Sequence, residues 1–374
     1  MRGYGAETAV ETPPAELAAQ VHVILPGDVD DPGLPSGGNV YDRRICDGLG
    51  ELGWHVHRTA VPGDWPLPGA DARDGLARAL AAAPDGAAVL VDGLVACGVP
   101  EIVVPQARRL RLAVLVHLPL AAETGLPPEV AADLDRRERE TLHAAALVVA
   151  TSPRAATALI ARHGLDPARV GVAAPGVDPA PLAPGTDGRS RLLCVASVTP
   201  RKGHDVLVRA LTAVRELPWT CVCAGPLGRD PGYAEHVRGL ISAGGLTGRV
   251  RLAGPLTGVA LEEAYAAADL LVLPSRAETY GMVVTEALAR GIPVLASEVD
   301  ALPETLGRTP DGFRPGLLVP PDDPDALAAA LRRWLINPAL RVRIRTSARL
   351  RRGMLHGWAT TSRQLADLLE RLPR

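Results

Sequence analysis

An α/β chain built around two parallel sheets is what the sequence predicts, and three observations predict it. Short apolar runs alternate with helix-period stretches from residue 21 to about residue 335. The alternation breaks once, in a segment rich in Pro, Gly and Asp at residues 175–190, and then restarts. At 374 residues the chain also exceeds what one hydrophobic core usually organises. Two Rossmann-like halves of similar size follow, each with its own sheet covered by helices on both faces.

The elements read in order. Residues 1–19 carry no usable period and read as a disordered tail. The first strand is Val21-His22-Val23-Ile24-Leu25, followed by a long turn through Ser36-Gly37-Gly38-Asn39 and a helix over 39–52. Strands at 54–58, 87–91, 112–116 and 147–149 alternate with helices near 74–83, 100–110, 128–144 and 153–163. Five more strands are expected at 192–196, 219–224, 250–253, 270–273 and 293–296. Helices fall near 205–216, 233–243, 260–267, 281–290 and 324–335, and an Arg-rich helical tail runs from 338 to 372. These divide the chain into an N-terminal domain at 20–180, a linker at 181–190 and a C-terminal domain at 191–355. A terminal helix at 356–374 is expected to return to the first domain.

Composition excludes several classes. A net charge of −2 without a basic block argues against nucleic acid as a partner. No apolar run approaches the ~20 residues of a membrane-spanning helix. The first residues lack the layout of a secretion signal, so a cytoplasmic location is expected. Cys46, Cys97, Cys194, Cys221 and Cys223 sit in apolar runs and read as small buried hydrophobes of a reducing compartment.

Two segments carry chemistry. Lys202, in Thr199-Pro200-Arg201-Lys202-Gly203, is the only lysine among 40 basic residues. It follows an apolar strand, where a compact, flexible ammonium suits a phosphate oxygen better than a planar guanidinium does. In the second segment, 274–287, Pro274-Ser275 ends a strand, Glu278 lies in the loop, and Glu286 lies in the helix that Gly281 opens. Loops at the carboxyl ends of parallel strands are where such sheets bind ligands.

These residues resemble glycosyltransferase family 4, the retaining enzymes of the GT-B fold. The resemblance rests on Pro274-Ser275, Glu278, Gly281, Glu286-Ala287 and Gly291-Ile292-Pro293-Val294, and extends from about residue 21 to the end. It implies two Rossmann-like domains facing a central cleft. It also implies that Glu278 meets the donor sugar, Glu286 the ribose, and the backbone around Tyr280, Gly281, Met282 and Val283 the sugar and diphosphate. Arg201 and Lys202 resemble the family's basic pair on the leaving diphosphate. His117 matches a histidine lying against the donor sugar. Gly37, Gly38 and Asn39 resemble the Gly-rich loop facing the diphosphate. Two departures stand out: Ala196-Ser197 replaces a Gly-Arg dipeptide, and Asp300-Ala301 replaces two glycines.

The expected activity is metal-independent transfer of a hexosyl group from a nucleotide diphosphate sugar, a co-substrate, to a small-molecule acceptor; no cofactor is expected. Asp28-Val29-Asp30 has the form of an Asp-x-Asp metal motif, but the basic pair already supplies positive charge, so no metal is assigned. The acceptor is expected to be amine-bearing, held by Asp28, Asp30, Asp31 and Trp65 at the cleft rim. A sugar-nucleotide epimerase or hydrolase and a non-catalytic sugar-nucleotide-binding protein remain the alternatives.

Overall fold

The computed structural model describes residues 19–123 and 125–373, so the tail expected at the N-terminus lies, but for Ala19, outside the described residues. The first sheet comprises β1 (Gln20–Pro26), β2 (His55–Val61), β3 (Ala88–Asp92), β4 (Arg111–Val116), β5 (Leu147–Ala150) and β6 (Val170–Val172). All are parallel, in the order β2-β1-β3-β4-β5-β6. The second comprises β7 (Arg191–Val195), β8 (Thr220–Ala224), β9 (Val250–Gly254), β10 (Leu270–Leu273), β11 (Val294–Ser297) and β12 (Gly316–Val319). It is parallel too, in the order β12-β11-β10-β7-β8-β9.

The central strands are apolar on both faces because helices cover both. Every residue of β3, β5, β10 and β11 is buried. The second domain packs around one large core, whereas the first has a separate core on each side of its sheet. Strand order reverses between β1 and β3 in the first sheet and between β7 and β10 in the second. Such reversals splay the adjoining loops apart and leave a crevice at the carboxyl edge. The loops after β1, β7 and β10 all border the main cleft.

Two strands escape the sequence pattern, and both are sheet edges. β6 has three residues, none fully buried, and β12 begins with Gly316. Short half-buried edges show neither a long apolar run nor a clean alternation. β2 runs three residues beyond its expected end, through Thr59, Ala60 and Val61, as an edge paired only with β1. The C-terminal tail forms two helices, Pro338–Arg352 and Trp358–Glu370, separated by a short break. The second packs onto the first domain: Thr361 donates its hydroxyl to the Ala174 carbonyl at 2.8 Å, and Leu365 and Leu369 enter the core beside Tyr41 and Ile45. No helix among the described residues is long and apolar enough to cross a membrane.

Asp269, fully buried just before β10, secures the segment between the domains. Its carboxylate accepts from the Thr186, Gly188 and Arg191 amides at 3.0, 3.1 and 3.1 Å. Asp269→Ala should leave those donors unpaired and cost ~2–4 kcal/mol. Chemical denaturation should show the loss as a lower midpoint, and an unchanged midpoint would contradict the assigned tether.

Candidate active site

The cleft between the domains, about 300 Å³, is lined from both sides. The first domain contributes the start of the helix Gly37–Glu51, together with His117, Leu118 and Thr151. The second contributes Ala196, Ser197, Arg201, Lys202, the loop from Glu278 to Gly281, and Met282, Val283 and Glu286.

Local sequence explains how the basic loop reaches this position. Pro200-Arg201-Lys202 forms one tight turn that ends at Gly203, in the left-handed region with φ 68°. A Cβ on Gly203 would stand 2.1 Å from the Pro274 carbonyl oxygen, so only glycine lets the turn pack on the end of β10. Arg276 reinforces the contact. Its amide donates to the Arg201 carbonyl at 2.7 Å, and its guanidinium meets the Pro200 carbonyl and both oxygens of Asp205 at 3.0 and 2.9 Å.

Lys202 is thereby set directly against Glu278, whose other supports are the Ser275 hydroxyl at 2.9 Å and Arg201 at 4.0 Å. Burial opposes ionisation of Glu278, but Lys202 and Arg201 outweigh it and hold the carboxyl below its ordinary range. Burial lowers Lys202 from the usual lysine value despite the attraction of Glu278. Arg201 donates from Nε to Glu123 of the first domain at 3.2 Å and from a terminal nitrogen to the Ala277 carbonyl at 3.2 Å. Arg201 thus spans the cleft.

Two helix starts face each other there. Gly281 caps the helix Met282–Ala289 with φ 85° and no capping side chain, leaving the first amides open to the cleft. Opposite it, Ser36 accepts the Asn39 amide at 3.0 Å, while Gly37 and Gly38 line the cavity. The two starts nearly touch: a Cβ on Gly37 would lie 3.4 Å from the Met282 sulfur. Two helix N-termini, an ammonium and a guanidinium around one cavity make a site for a polyvalent anion. Glu286 lies beyond them, accepting the Tyr265 hydroxyl at 2.6 Å; burial raises its carboxyl above the ordinary range.

The structure gathers His117, Arg201, Lys202, Glu278, Gly37, Gly38, Tyr280, Gly281, Met282, Val283 and Glu286 into this one cleft. It does not place Asn39 there as a ligand group. The Asn39 side chain is buried and donates to the Asp28 and Leu34 carbonyls at 3.0 and 3.5 Å, so it shapes the loop. The expected acidic rim does not assemble either. Asp30 is paired with Arg58, and Asp31 accepts the Gly33 amide at 2.7 Å. Trp65 donates to the Val61 carbonyl at 2.9 Å and packs on the domain core. Asp28 is engaged by Arg229 of the second domain at 3.0 Å. The partners of Asp28 and Asp30 lie far away in sequence, which explains why the segment looked free.

Sequence reasoning missed several residues that build the site. Asp42 and Asp92 hold His117 from behind, Glu123 engages Arg201, and Thr279 spans the domains by donating to the His117 carbonyl and accepting from Ser152 at 2.7 Å. Asp300, where the resemblance expects glycine, does adopt a left-handed backbone with φ 41°. Its carboxylate accepts the Glu278 amide at 2.9 Å, a compensation that glycine could not supply.

Residues 189–337 match the family model of glycosyl transferases group 1. The chain is related to the group 1 glycosyltransferases. The D-inositol 3-phosphate glycosyltransferase of Kineococcus radiotolerans is 34% identical over 257 residues, covering 63% of this chain and 59% of that protein. The enzyme of the same name from Salinispora tropica is 34% identical over 281 residues, covering 69% and 57%. The chain therefore spans about three fifths of the length of these curated relatives. Among solved structures, sucrose-phosphate synthase from Thermosynechococcus elongatus superposes with a TM-score of 0.78 at 22% identity, over 95% of this chain and 99% of that one. HepE of Anabaena, solved with UDP-glucose, gives 0.73 at 18% identity, over 94% and 99%. These comparisons bear out the GT-B fold and the resemblance to glycosyltransferase family 4.

Gly203→Ala should push the basic turn off Pro274 and lower activity by up to ~10²-fold, the order expected when catalytic groups shift by about 1 Å. Wild-type turnover in that variant, measured alongside its melting temperature, would show that the contact does not position Lys202.

Proposed function

We propose that this protein is a retaining glycosyltransferase that moves a sugar from a nucleoside diphosphate sugar to a small-molecule acceptor. The observation that carries this reading is the convergence of Lys202, Arg201 and two open helix starts on one cleft that Glu278 and Glu286 also line. HepE, similar in fold, was solved with UDP-glucose, and the relatives are named for a phosphorylated cyclitol, so both substrates of this reading have parallels. The diphosphate lies between the two helix starts and against Lys202 and Arg201. The nucleoside extends past Leu256 and Leu261, with Glu286 accepting from the ribose, and the sugar turns back towards Glu278 and His117.

As the bond from the anomeric carbon to the diphosphate breaks, negative charge grows on the departing oxygen. Lys202, Arg201 and the amides stabilise it without reorganising. Glu278 is already committed to Lys202 and Ser275, which makes it a poor covalent nucleophile. The resemblance to glycosyltransferase family 4 implies same-face attack, with the acceptor hydroxyl losing its proton to the leaving phosphate. The positive groups of the chain carry the charge, so no divalent ion is assigned a role.

Lys202→Ala should cut turnover by ~10²- to 10³-fold, the usual effect of removing one preorganised donor. More than half of wild-type activity in a folded variant would remove the diphosphate assignment. Glu286→Gln should raise the donor KM, whereas Glu278→Gln should lower kcat as well; identical defects would contradict the division of roles. Transfer should persist in excess EDTA, and complete loss restored by manganese would replace this reading with a metal-dependent one. Product release without any acceptor would instead indicate a hydrolase.

A further inference from the structure

Behind the N-terminal wall of the cleft lie two acids that the transfer reaction as described does not use. Asp42, in the helix Gly37–Glu51, is fully buried, and Asp92, at the carboxyl end of β3, is 3% exposed. Both point at one nitrogen of His117: Nε2 is 2.9 Å from Asp42 Oδ1 and 3.5 Å from Asp92 Oδ2. Asp92 also accepts the Leu94 amide at 2.6 Å, while Asp42 Oδ2 is buried with no hydrogen-bond partner. A buried carboxylate oxygen left this way is costly, and a proton on the neighbouring acid is the simplest way to satisfy it.

We propose that Asp42 and Asp92 are positioning residues that hold His117 as an imidazolium, Asp92 carrying a proton that it donates to Asp42, so that His117 offers Nδ1–H to the cleft as a cationic donor. Other groups around the ring do not provide a rival acid. The Tyr41 ring meets it edge-on at 5.2 Å, Gly38 covers its Cδ2 side, and Thr279 contacts its backbone carbonyl from the second domain. Arg201, Lys202 and Glu278 line the same cleft, with Glu278 already paired to Lys202. Burial works against a charge on His117, but the Asp42 carboxylate overcomes it, joined by Asp92 once that acid ionises in the alkaline range, and its pKa is pushed up to about 9. Burial, together with the Asp42 carboxylate, pushes Asp92 up to about 8, so it keeps its proton at neutral pH.

This assignment rests on the transferase reading for its use, since a fixed positive donor beside the sugar helps most when the departing group gains charge. It also sets a pH window. A histidine whose folded value lies above its free value of about 6.5 gives its full contribution below that value and loses it as pH rises through the folded value. Activity should therefore fall on an alkaline limb near pH 9, where His117 loses its proton.

The test is heteronuclear NMR of the imidazole nitrogens in ¹⁵N-histidine-labelled full-length protein, with His117 assigned by His117→Gln. At pH 7.5 both His117 nitrogens should be protonated in the wild type. Asp42→Asn should render the ring neutral at that pH, and Asp92→Asn, which mimics the protonated acid, should keep most of the elevation. In steady-state assays Asp42→Asn should lower kcat by ~10²-fold, leave the donor KM close to wild type and move the alkaline limb to lower pH. A neutral His117 in the wild type would overturn the proposal, and this measurement does not require Asp42→Asn to fold. A doubly protonated ring in Asp42→Asn, or a stoichiometric divalent metal detected by mass spectrometry and lost in both variants, would overturn it too. The ring measurement needs no turnover, so it separates failure of this proposal from failure of the transferase reading.

Discussion

The ion pair between Lys202 and Glu278 is the interaction on which the candidate site depends. Two opposite charges in a largely dry place are costly unless geometry is held firmly and their remaining valences are met. The surrounding loops supply that firmness. Gly203 lets one loop press on the end of β10, and Arg276 clamps the Pro200 carbonyl to Asp205. The Ser275 hydroxyl donates to the Glu278 carboxylate, and the Asp300 carboxylate accepts the Glu278 amide. The unusual backbone at Gly203 and Asp300 is therefore explained by one need: to bring an ammonium and a carboxylate together at the strand end.

The same need joins the two domains. Arg201 reaches Glu123, Arg229 reaches Asp28, and Thr279 bonds on one side to His117 and on the other to Ser152. Each of these contacts comes from a loop at the carboxyl edge of a sheet, where the reversal of strand order opens a crevice. Two such crevices face one another, and a helix start opens into the cavity from each. Each start presents amides without helical partners, so an anion there gains from both dipoles at once.

The sequence made the second domain far more legible than the first. Residues 274–286 compress strand end, loop acid, helix start and second acid into one contiguous run, so chemistry and spacing appear together. In the first domain Asp42, Asp92 and His117 meet only because β3 and β4 are adjacent and a helix lies across their ends. Fifty positions separate Asp42 from Asp92, and periodicity carries no information about that meeting. Asp92 did leave a trace, as the one charged residue ending a fully apolar strand. The acids at 28, 30 and 31 misled for the converse reason. A run of charge is visible in sequence, but Arg58 and Arg229, which occupy two of them, are not. The edge strands β6 and β12 were lost to shortness, since three or four half-buried residues have no period to detect.

Arg201 shows how a motif can shift along a chain while its charge stays in place. The resemblance expects an arginine at 197, where this protein has a small serine lining the cleft. Arg201, four positions on, still presents its guanidinium to the cavity because Glu123 and the Ala277 carbonyl hold it there. Guanidinium is suited to that exchange, since its planar fork can serve two acceptors at once and carries its charge at any physiological pH. The relocation has a consequence for electrostatics. Without a ligand, Lys202 and Arg201 face Glu278 and Glu123, so the four side chains sum to no net charge. A dianion entering the cleft must compete with both carboxylates, and what tips the balance is the two helix starts, where Ser36 and Gly281 engage the Asn39 and Val284 amides and leave the leading amides to the anion. Anion selectivity in this cleft is therefore set as much by backbone as by the one lysine that first marks it in the sequence.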